Sequence, residues 1–501
     1  MTNLLKEIPN SYIIPFSYRA EHYPPLDRGL SDKSFAYFKD TSIEEIRELW
    51  KRTLSSPLGL SHPILLYVHW PFCSSYCSFC RFGMESSSHH KEQELVLNSL
   101  REEMGRFKDT FKGISFPSLY IGGGTPTFMT DAMLENFLSA IRESFKLAPG
   151  AQIHVDASPA TLTESKLKIL IRHGANRMTL GIQTFDAQVL GRIDRKGQDE
   201  QKVRTLFALF RKFPDLFIDT DMMIGLEGQR DSTFVKDFSR ILTLSPHSIH
   251  LYPFADDERT LWKKRGKKVV LNQKDRNSHL LNLADYMARK AGYVTGYEDW
   301  ETLKQNSWET RHEALWRDFR ASILGIGYGA LSHIFGAAWY YHPKPPPEGV
   351  SNNAVPPIKM LEFDVEEEMR GYVIESIVRN NKISREAFRR LFHQDISECA
   401  SVFHALEEFQ KRGLIKIDSR ALYWRGQDIV ERAVALQSLY SPKMAEALIQ
   451  STLRLNHTHA FEGASSEQRI RARQGHIDCR IYYRRSLFED ACCPEYLLGR
   501  S

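Results

Sequence analysis

The chain has 501 residues, 42% hydrophobic and 26% charged, with 29 glycines and 22 prolines. These are globular proportions, with too much apolar material for a disordered chain. A formal charge of +5, from 67 basic and 62 acidic side chains, is too small for a dedicated nucleic-acid or membrane-surface binder and suits an anionic small molecule.

No apolar run approaches the ~20 residues that span a bilayer, and Met1 to Ser11 lacks the basic start and apolar stretch of a secretion signal, so a cytoplasmic protein is expected. Seven cysteines are too few for a disulfide framework in a chain of this length, which makes their spacing the informative feature. Cys73, Cys77 and Cys80 fall within eight residues.

Residues 1–60 read as an N-terminal extension. From residue 61, short β-branched or aromatic runs alternate with helical patterns, as βαβ units and a parallel sheet require. The predicted strands are Ile64–Val68, Ser118–Ile121, Gln152–Ala157, Arg177–Ile182, Ile218–Ile224 and Ser248–Tyr252. Helical patterns cover Glu92–Phe107, Asp131–Phe145, Ser165–His173 and Thr233–Leu242. The expected fold is α/β, a partial (β/α)6 barrel over 61–340 with its site at the C-terminal ends of the strands. Pro343, Pro345, Pro346 and Pro347 mark a linker at 341–357, since proline continues neither a helix nor a central strand. Beyond it, Val365–Asn380, Ser384–Phe392 and Ile396–Arg412 predict helices, and Leu414–Ile417 with Ala421–Trp424 a hairpin, an order that suggests a small winged-helix-like domain over 358–440. Residues 441–501 carry Arg469, Arg471, Arg473, Arg480, Arg484 and Arg485 and read as a solvated basic tail. There is no internal repeat beyond the βα alternation.

The segment Tyr67-Val-His-Trp-Pro-Phe-Cys73-Ser-Ser-Tyr-Cys77-Ser-Phe-Cys80 places three thiols at C-x3-C-x2-C directly after the first strand. A loop of this spacing can fold three thiolates around one face of an iron–sulfur cube, whereas a helix would turn them to different faces. One iron then lacks a protein ligand, which is what a catalytic cluster needs. Two alternatives stay open: a structural zinc site completed by His69, His89 or His90, and three unliganded cysteines.

This loop resembles that of radical S-adenosylmethionine (SAM) enzymes, and Tyr67 to Cys73 is similar to the subgroup typified by oxygen-independent coproporphyrinogen III oxidase. The resemblance runs from about Leu65 to Leu439. It implies a [4Fe-4S] cluster on Cys73, Cys77 and Cys80, one or two molecules of SAM, and cleavage of SAM to a 5′-deoxyadenosyl radical.

Further motifs support it. Gly122-Gly123-Gly124-Thr125-Pro126-Thr127 resembles the family's SAM amino-group loop; a side chain at Gly123 or Gly124 is expected to weaken SAM binding and leave iron content unchanged. Asp156 ends the third strand where the family usually has Glu. Arg177 through Gly181-Ile-Gln183-Thr-Phe185-Asp186 resembles the fourth-strand signature, with Arg195 and Asp221 at the following basic and acidic positions. At a strand end, Asp156 or Asp221 has an alternative role as cap of the next helix. His250-Leu-Tyr252-Pro253 ends the sixth strand. Leu324-Gly325-Ile-Gly327-Tyr-Gly329-Ala330-Leu331-Ser332 lacks the last glycine of a dinucleotide fingerprint. Gly292-Tyr293 and Tyr297-Glu298 match the family pattern, while Trp300, Trp308 and Trp316 read as core or pocket wall.

The resemblance thus implies Tyr67 and Asp156 as catalytic residues, and Tyr67, Phe79, Gly123, Gly124, Thr125, Asp156, Gln183, Arg195, Asp221 and Leu331 as cofactor contacts. Phe82 stands where the oxidases usually carry a fourth cysteine, which leads away from the oxidase substrate. The expected function is therefore two-SAM methyl or methylene transfer to carbon, that is C-methylation or cyclopropanation. The alternatives are oxidative decarboxylation of a porphyrinogen, or a non-catalytic heme chaperone using a histidine such as His312 or His333. Expected partners are a small-molecule substrate and an electron donor such as flavodoxin or ferredoxin, with no membrane or nucleic acid, for a monomeric protein.

Overall fold

The computed structural model of the protein describes residues 39–80, 90–254, 260–267, 273–295, 301–304, 315, 321–343, 357–426 and several positions between 432 and 441. Phe82, His89, Tyr297, Glu298, Trp300, Trp308, His312, Trp316, the prolines 345–347 and the tail from 442 lie outside the described residues.

The six expected strands form as β2 (Ile64–Trp70), β3 (Ser115–Gly123), β4 (Lys146–Ala157), β5 (Arg177–Gln183), β6 (Phe217–Ile224) and β7 (Ser248–Pro253), and they pair in parallel in chain order. Four of the helices between them begin on a side-chain cap: Thr130, Thr163, Asp186 and Asp199 accept from backbone N–H groups of the first turns of 131–144, 164–172, 187–192 and 200–210. A side-chain oxygen there satisfies donors that the helix itself leaves open.

Alternation along these strands decides what lies on each side of the sheet. Leu66, Val68, Leu119, Ile121, Val155, Met178, Leu180, Ile218 and Ile249 join one apolar core with the covering helices. The intervening positions point to the concave side and are mostly polar: Ser118, Tyr120, His154, Arg177, Thr179, Asp219 and His250 among them. At the floor of this lumen, fully buried Arg177 donates from Nε and Nη2 to Asp219 at 2.6 and 2.9 Å. The His154 Nε2 atom lies 2.7 Å from Thr179 Oγ1 and 3.7 Å from Asp219 Oδ2.

The sheet extends beyond the six strands. After Gly325 and its neighbours, β10 (Ser322–Ile326) pairs in parallel with β2, and β11 (Leu331–Ile334), β12 (Ala338–Tyr341) and β13 (Ile358–Glu362) follow as an antiparallel meander. Gly327 and Gly329, at φ of 97° and 85°, turn β10 into the hairpin. An antiparallel strand rather than a helix follows them, which accounts for the missing dinucleotide fingerprint. At the far edge β7 is joined by β9 (Glu301–Lys304) and β8 (Tyr293–Thr295).

Two elements cross the boundaries expected from sequence. β1 (Lys39–Thr41), from the N-terminal segment, pairs with β13, the first strand beyond the proline-rich stretch. The helix Ile43–Leu54 places Ile46 and Trp50 in the main core, and Trp50 Nε1 donates to the Tyr340 hydroxyl at 2.9 Å. Its amphipathic spacing is ordinary for a packed helix, but its docking partner lies almost three hundred residues away in sequence.

Helices Val365–Asn380, Arg385–Phe392 and Ala400–Lys411 surround a three-stranded sheet of β14 (Lys382–Ser384), β15 (Ile415–Ile417) and β16 (Ala421–Trp424). The three helices and the hairpin follow in the expected order, and β14, which was not expected, lies between the first two helices and pairs with the hairpin strand β16. Its core includes Val373, Ile377, Phe388 and Leu406 and is continuous with Phe335 and Trp339 of the meander. The third helix starts at Ala400, later than expected, because Asp395 caps a separate 3-10 turn at Ile396–Glu398.

Because Trp50 is fully buried, Trp50→Ala should destabilise the protein by about 3–5 kcal/mol, read as a lowered urea midpoint of the intact chain. A change within about 0.5 kcal/mol would return this helix to a solvated extension.

Candidate functional site

The three thiols lie in an irregular loop, not a helix, at the C-terminal end of β2. Cys77 is buried, while Cys73 and Cys80 are partly exposed. The middle of the loop is pinned from two sides: Ser78 N donates to Ile193 O and Trp262 N to Ser78 O, both at 2.9 Å. Among the described residues no set of three His, Cys, Asp or Glu converges as one metal ion would require.

Against this loop lies the glycine turn that follows β3. Gly124 N donates to Trp70 O at 2.6 Å and Thr125 N to Phe72 O at 2.8 Å, while Thr125 Oγ1 lies 3.4 Å from Cys73 Sγ. A Cβ on Gly124 would stand 2.4 Å from Phe72 O, and one on Gly123, whose φ is 109°, would stand 2.6 Å from Trp70 O and 2.7 Å from the His69 ring. This corrects the expectation that side chains here disturb only SAM. The glycines let the turn press on the backbone that carries the cysteines.

Tyr67 is buried, with its hydroxyl 2.9 Å from His69 Nδ1 and its ring edge against Tyr120. Asp156 accepts from the Tyr120 hydroxyl at 3.0 and 3.1 Å through its two oxygens. Neither Asp156 nor Asp221 caps a helix. Thr163 caps the helix after β4, and the helix after β6 begins at Arg230 without a side-chain cap. Asp221 instead faces His250 Nδ1 at 3.2 Å, with the Tyr252 hydroxyl 3.5 Å from the same nitrogen.

Arg195 reaches back from the loop after the helix 187–192. Its Nη1 lies 3.5 Å from Cys77 Sγ, its Nη2 donates to Gly181 O and stands 3.5 Å from Ser158 Oγ, and Gln198 Oε1 accepts from its Nε at 2.8 Å. Gln183 is held at φ 69°, an uncommon conformation for a non-glycine residue, and its buried Oε1 has no hydrogen-bond partner. A strained backbone carrying an unsatisfied buried acceptor is what a polar ligand would complete.

Two expected contacts differ. Phe79 is half-buried against Val189, Leu190, Ile193, Met223 and Leu226, next to the thiols but packed as a wall. Leu331 does not join the group through its side chain, which is buried in the second core; β11 alternation turns it toward the C-terminal helices. His333, considered as a heme ligand, is fully buried and lies 2.7 Å from Glu368 Oε2 with its ring stacked on Trp339.

The residues that sequence reasoning missed are Tyr120, His154 and Glu103. The first two carry a faint signal, being polar at alternate positions of predicted strands. Glu103, on the helix His90–Lys108, accepts from Gly327 N at 3.2 Å and stands 3.4 Å from His342 Nδ1. Burial pushes its carboxyl up to about 8 and the His342 imidazole down to about 4. A carboxyl kept protonated and a neutral imidazole thus anchor the β10–β11 turn, whose Gly329 lies beside the His69 ring.

Comparison with known proteins agrees with this geometry. Residues 67–241 match the Radical SAM superfamily. The heme chaperone HemW of Lactococcus lactis is 27% identical over 68% of this chain and 90% of that protein. The oxygen-independent coproporphyrinogen III oxidase of Pseudomonas aeruginosa is 23% identical over 72% of this chain and 82% of its own length. In three dimensions the fold is that of the coproporphyrinogen III oxidase HemN from Escherichia coli, with a TM-score of 0.65 and 20% identity over 82% of this chain and 96% of that one.

A parallel βα sheet, a three-thiol loop after its first strand and the superfamily match together define a radical SAM enzyme, a class that works with a [4Fe-4S] cluster and SAM. Within that class the relatives it resembles are named coproporphyrinogen III oxidase and heme chaperone HemW. No helix among the described residues is long and apolar enough to cross a membrane.

Gly124→Ala tests the contact between the two loops. It should cost about 1–3 kcal/mol of stability through overpacking and lower the iron bound on anaerobic reconstitution. Normal iron content would confine the glycine to a role in ligand binding.

Proposed function

We propose that the protein uses radical SAM chemistry to remove hydrogen from a propionate side chain of a porphyrinogen-type tetrapyrrole, leading to oxidative decarboxylation as in the coproporphyrinogen III oxidases. The observation that carries this reading is the match to an oxidase over 72% of the chain and 82% of the oxidase. Two-SAM methyl or methylene transfer finds no comparable support among these relatives, so the alternative replaces it. Phe82 stands in place of the fourth cysteine, and the three thiols that would hold the cluster are all present in the sequence.

Cys73, Cys77 and Cys80 would hold the [4Fe-4S] cluster, and Gln183, Asp156, Arg195 and Asp221 the polar parts of SAM. When reduced, the cluster supplies the electron that cleaves SAM to a 5′-deoxyadenosyl radical, the hydrogen-abstracting species. The chain's own residues do the positioning. Gly123 to Thr125 fix the cysteine loop from below, Arg195 sets a positive charge against the Cys77 sulfur, and the buried amide of Gln183 offers an acceptor. The apolar wall of Phe79, Met223 and Leu226 shields this side. One SAM is sufficient for each radical, and a flavodoxin or ferredoxin would supply the electron for its cleavage; the substrate radical would form the vinyl group by losing carbon dioxide and passing one electron to a one-electron acceptor.

A second reading follows from the HemW match over 90% of that protein: heme carriage. His333 is committed to Glu368, so heme would need another ligand. Heme titration discriminates, since a stoichiometric shift of the Soret band favours carriage and its absence favours decarboxylation.

Replacing Cys73, Cys77 or Cys80 by Ala should abolish reductive SAM cleavage and the brown absorption of a reconstituted cluster. Any single variant that still cleaves SAM overturns the cluster assignment. With wild-type enzyme and coproporphyrinogen III, the mass of the product should show loss of carbon dioxide and 5′-deoxyadenosine in step; a product heavier by a methyl group would restore the transfer reading.

Asp156→Asn should weaken SAM binding by about tenfold or more, because a charge-assisted hydrogen bond is worth about 1.5–3 kcal/mol. Calorimetric titration of the reconstituted protein measures it, and equal affinity would remove Asp156 from the site.

A further inference from the structure

The concave face of β3 and β4 carries a stack of contacts that ends on Asp156. Tyr120 and His154 are register partners in the parallel ladder, and their rings stack at 4.5 Å with an interplanar angle of 15°. His154 is in turn fixed by Thr179 at 2.7 Å, above the buried Arg177–Asp219 pair. With its ring plane set this way, Tyr120 extends its hydroxyl to both oxygens of Asp156, at 3.0 and 3.1 Å. Two residues along β3, Gly122 leaves room for the carboxylate: a Cβ there would stand 2.7 Å from Asp156 Oδ2. One strand thus supplies a donor that holds the carboxylate and a gap that receives it.

We propose that Tyr120 is a positioning residue for the cofactor, acting through Asp156, and that Gly122 is the second half of the same device. Asp has one methylene between backbone and carboxylate, so small rotations about its two side-chain bonds redirect its acceptor lone pairs. A phenol bridging both oxygens fixes that direction before the cationic amino group of SAM arrives, which lowers the ordering cost of binding. The role rests on the assignment of Asp156 to SAM.

The test is a thermodynamic cycle on the full-length, anaerobically reconstituted protein, with SAM affinity measured by calorimetry and iron content and melting temperature alongside. Tyr120→Phe keeps the ring and its stack on His154. It should weaken SAM binding about tenfold with iron and melting temperature near wild type. In the cleavage assay the loss should appear in KM for SAM more than in kcat. If Tyr120 acts through Asp156, the double variant Tyr120→Phe/Asp156→Asn should bind SAM no more weakly than Asp156→Asn alone. Gly122→Ala, which keeps the phenol and displaces the carboxylate, should reproduce the loss. Unchanged affinity in Tyr120→Phe or in Gly122→Ala, additive losses in the double variant, or a fall in iron content would each overturn the proposal while leaving SAM binding by the wild type intact. If the wild type itself binds no SAM, the cofactor assignment fails and this role fails with it.

Discussion

A parallel sheet with helices on its outer face can carry charges on its inner face only if they meet partners, because an unpaired buried charge costs more than the apolar packing around it returns. In this protein that constraint is met by the Arg177–Asp219 pair, both side chains almost entirely sealed from solvent. The pair ties the fourth parallel strand to the fifth on a diagonal, since Asp219 is the register partner of Thr179. From it the arrangement builds upward through His154, Thr179 and Tyr120 to Asp156, so the floor of the lumen dictates where the carboxylate near its mouth can stand. Removing either partner would leave a bare charge in the interior, which is more damaging than the absence of both.

At the mouth the constraint changes from charge to space. The three-thiol loop and the glycine turn are held together by backbone hydrogen bonds at 2.6 and 2.8 Å, distances that leave no room for a side chain. The turn, the cysteine loop and Arg195 therefore behave as one assembly rather than as separate motifs, and Ile193 and Trp262 hold its other side. Gln183 carries the local strain, its left-handed backbone and unsatisfied amide oxygen being tolerable because the strands on either side fix it. Rigid elements bearing an unsatisfied acceptor fit the proposal of a site prepared in advance of its ligand.

The C-terminal unit is bound to this frame through a shared apolar core rather than a hinge of polar contacts. Trp339 and Phe335 lie on the meander and Phe388 and Val373 on the helices, all in one cluster. The Glu368 carboxylate also reaches across, to His333 and to Gly336 N. A region expected as a separate domain is thus continuous with the sheet through β13, and its arrival explains why Leu331 packs there.

Much of the local architecture was legible in the sequence. β-branched runs with a period of two, helical runs with a period near 3.6 and the C-x3-C-x2-C spacing are properties of neighbours along the chain, so strands, helices and a cysteine loop follow from them. Resemblance then singled out Gln183, Arg195 and Asp221, which the structure places at the end of β5, in the loop after the helix 187–192 and within β6. What the sequence could not decide was every relation between residues far apart in it. Trp50 on Tyr340, β1 on β13, Glu103 beneath Gly327, and Tyr120 on Asp156 all depend on which strand lies next to which and at what register. The steric reason for the glycines at 123 and 124 belongs to the same class, since the atoms they avoid are on another strand. A sequence fixes periodicity and chemistry residue by residue; only the folded sheet, by bringing distant alternations into one register, decides which polar side chains meet.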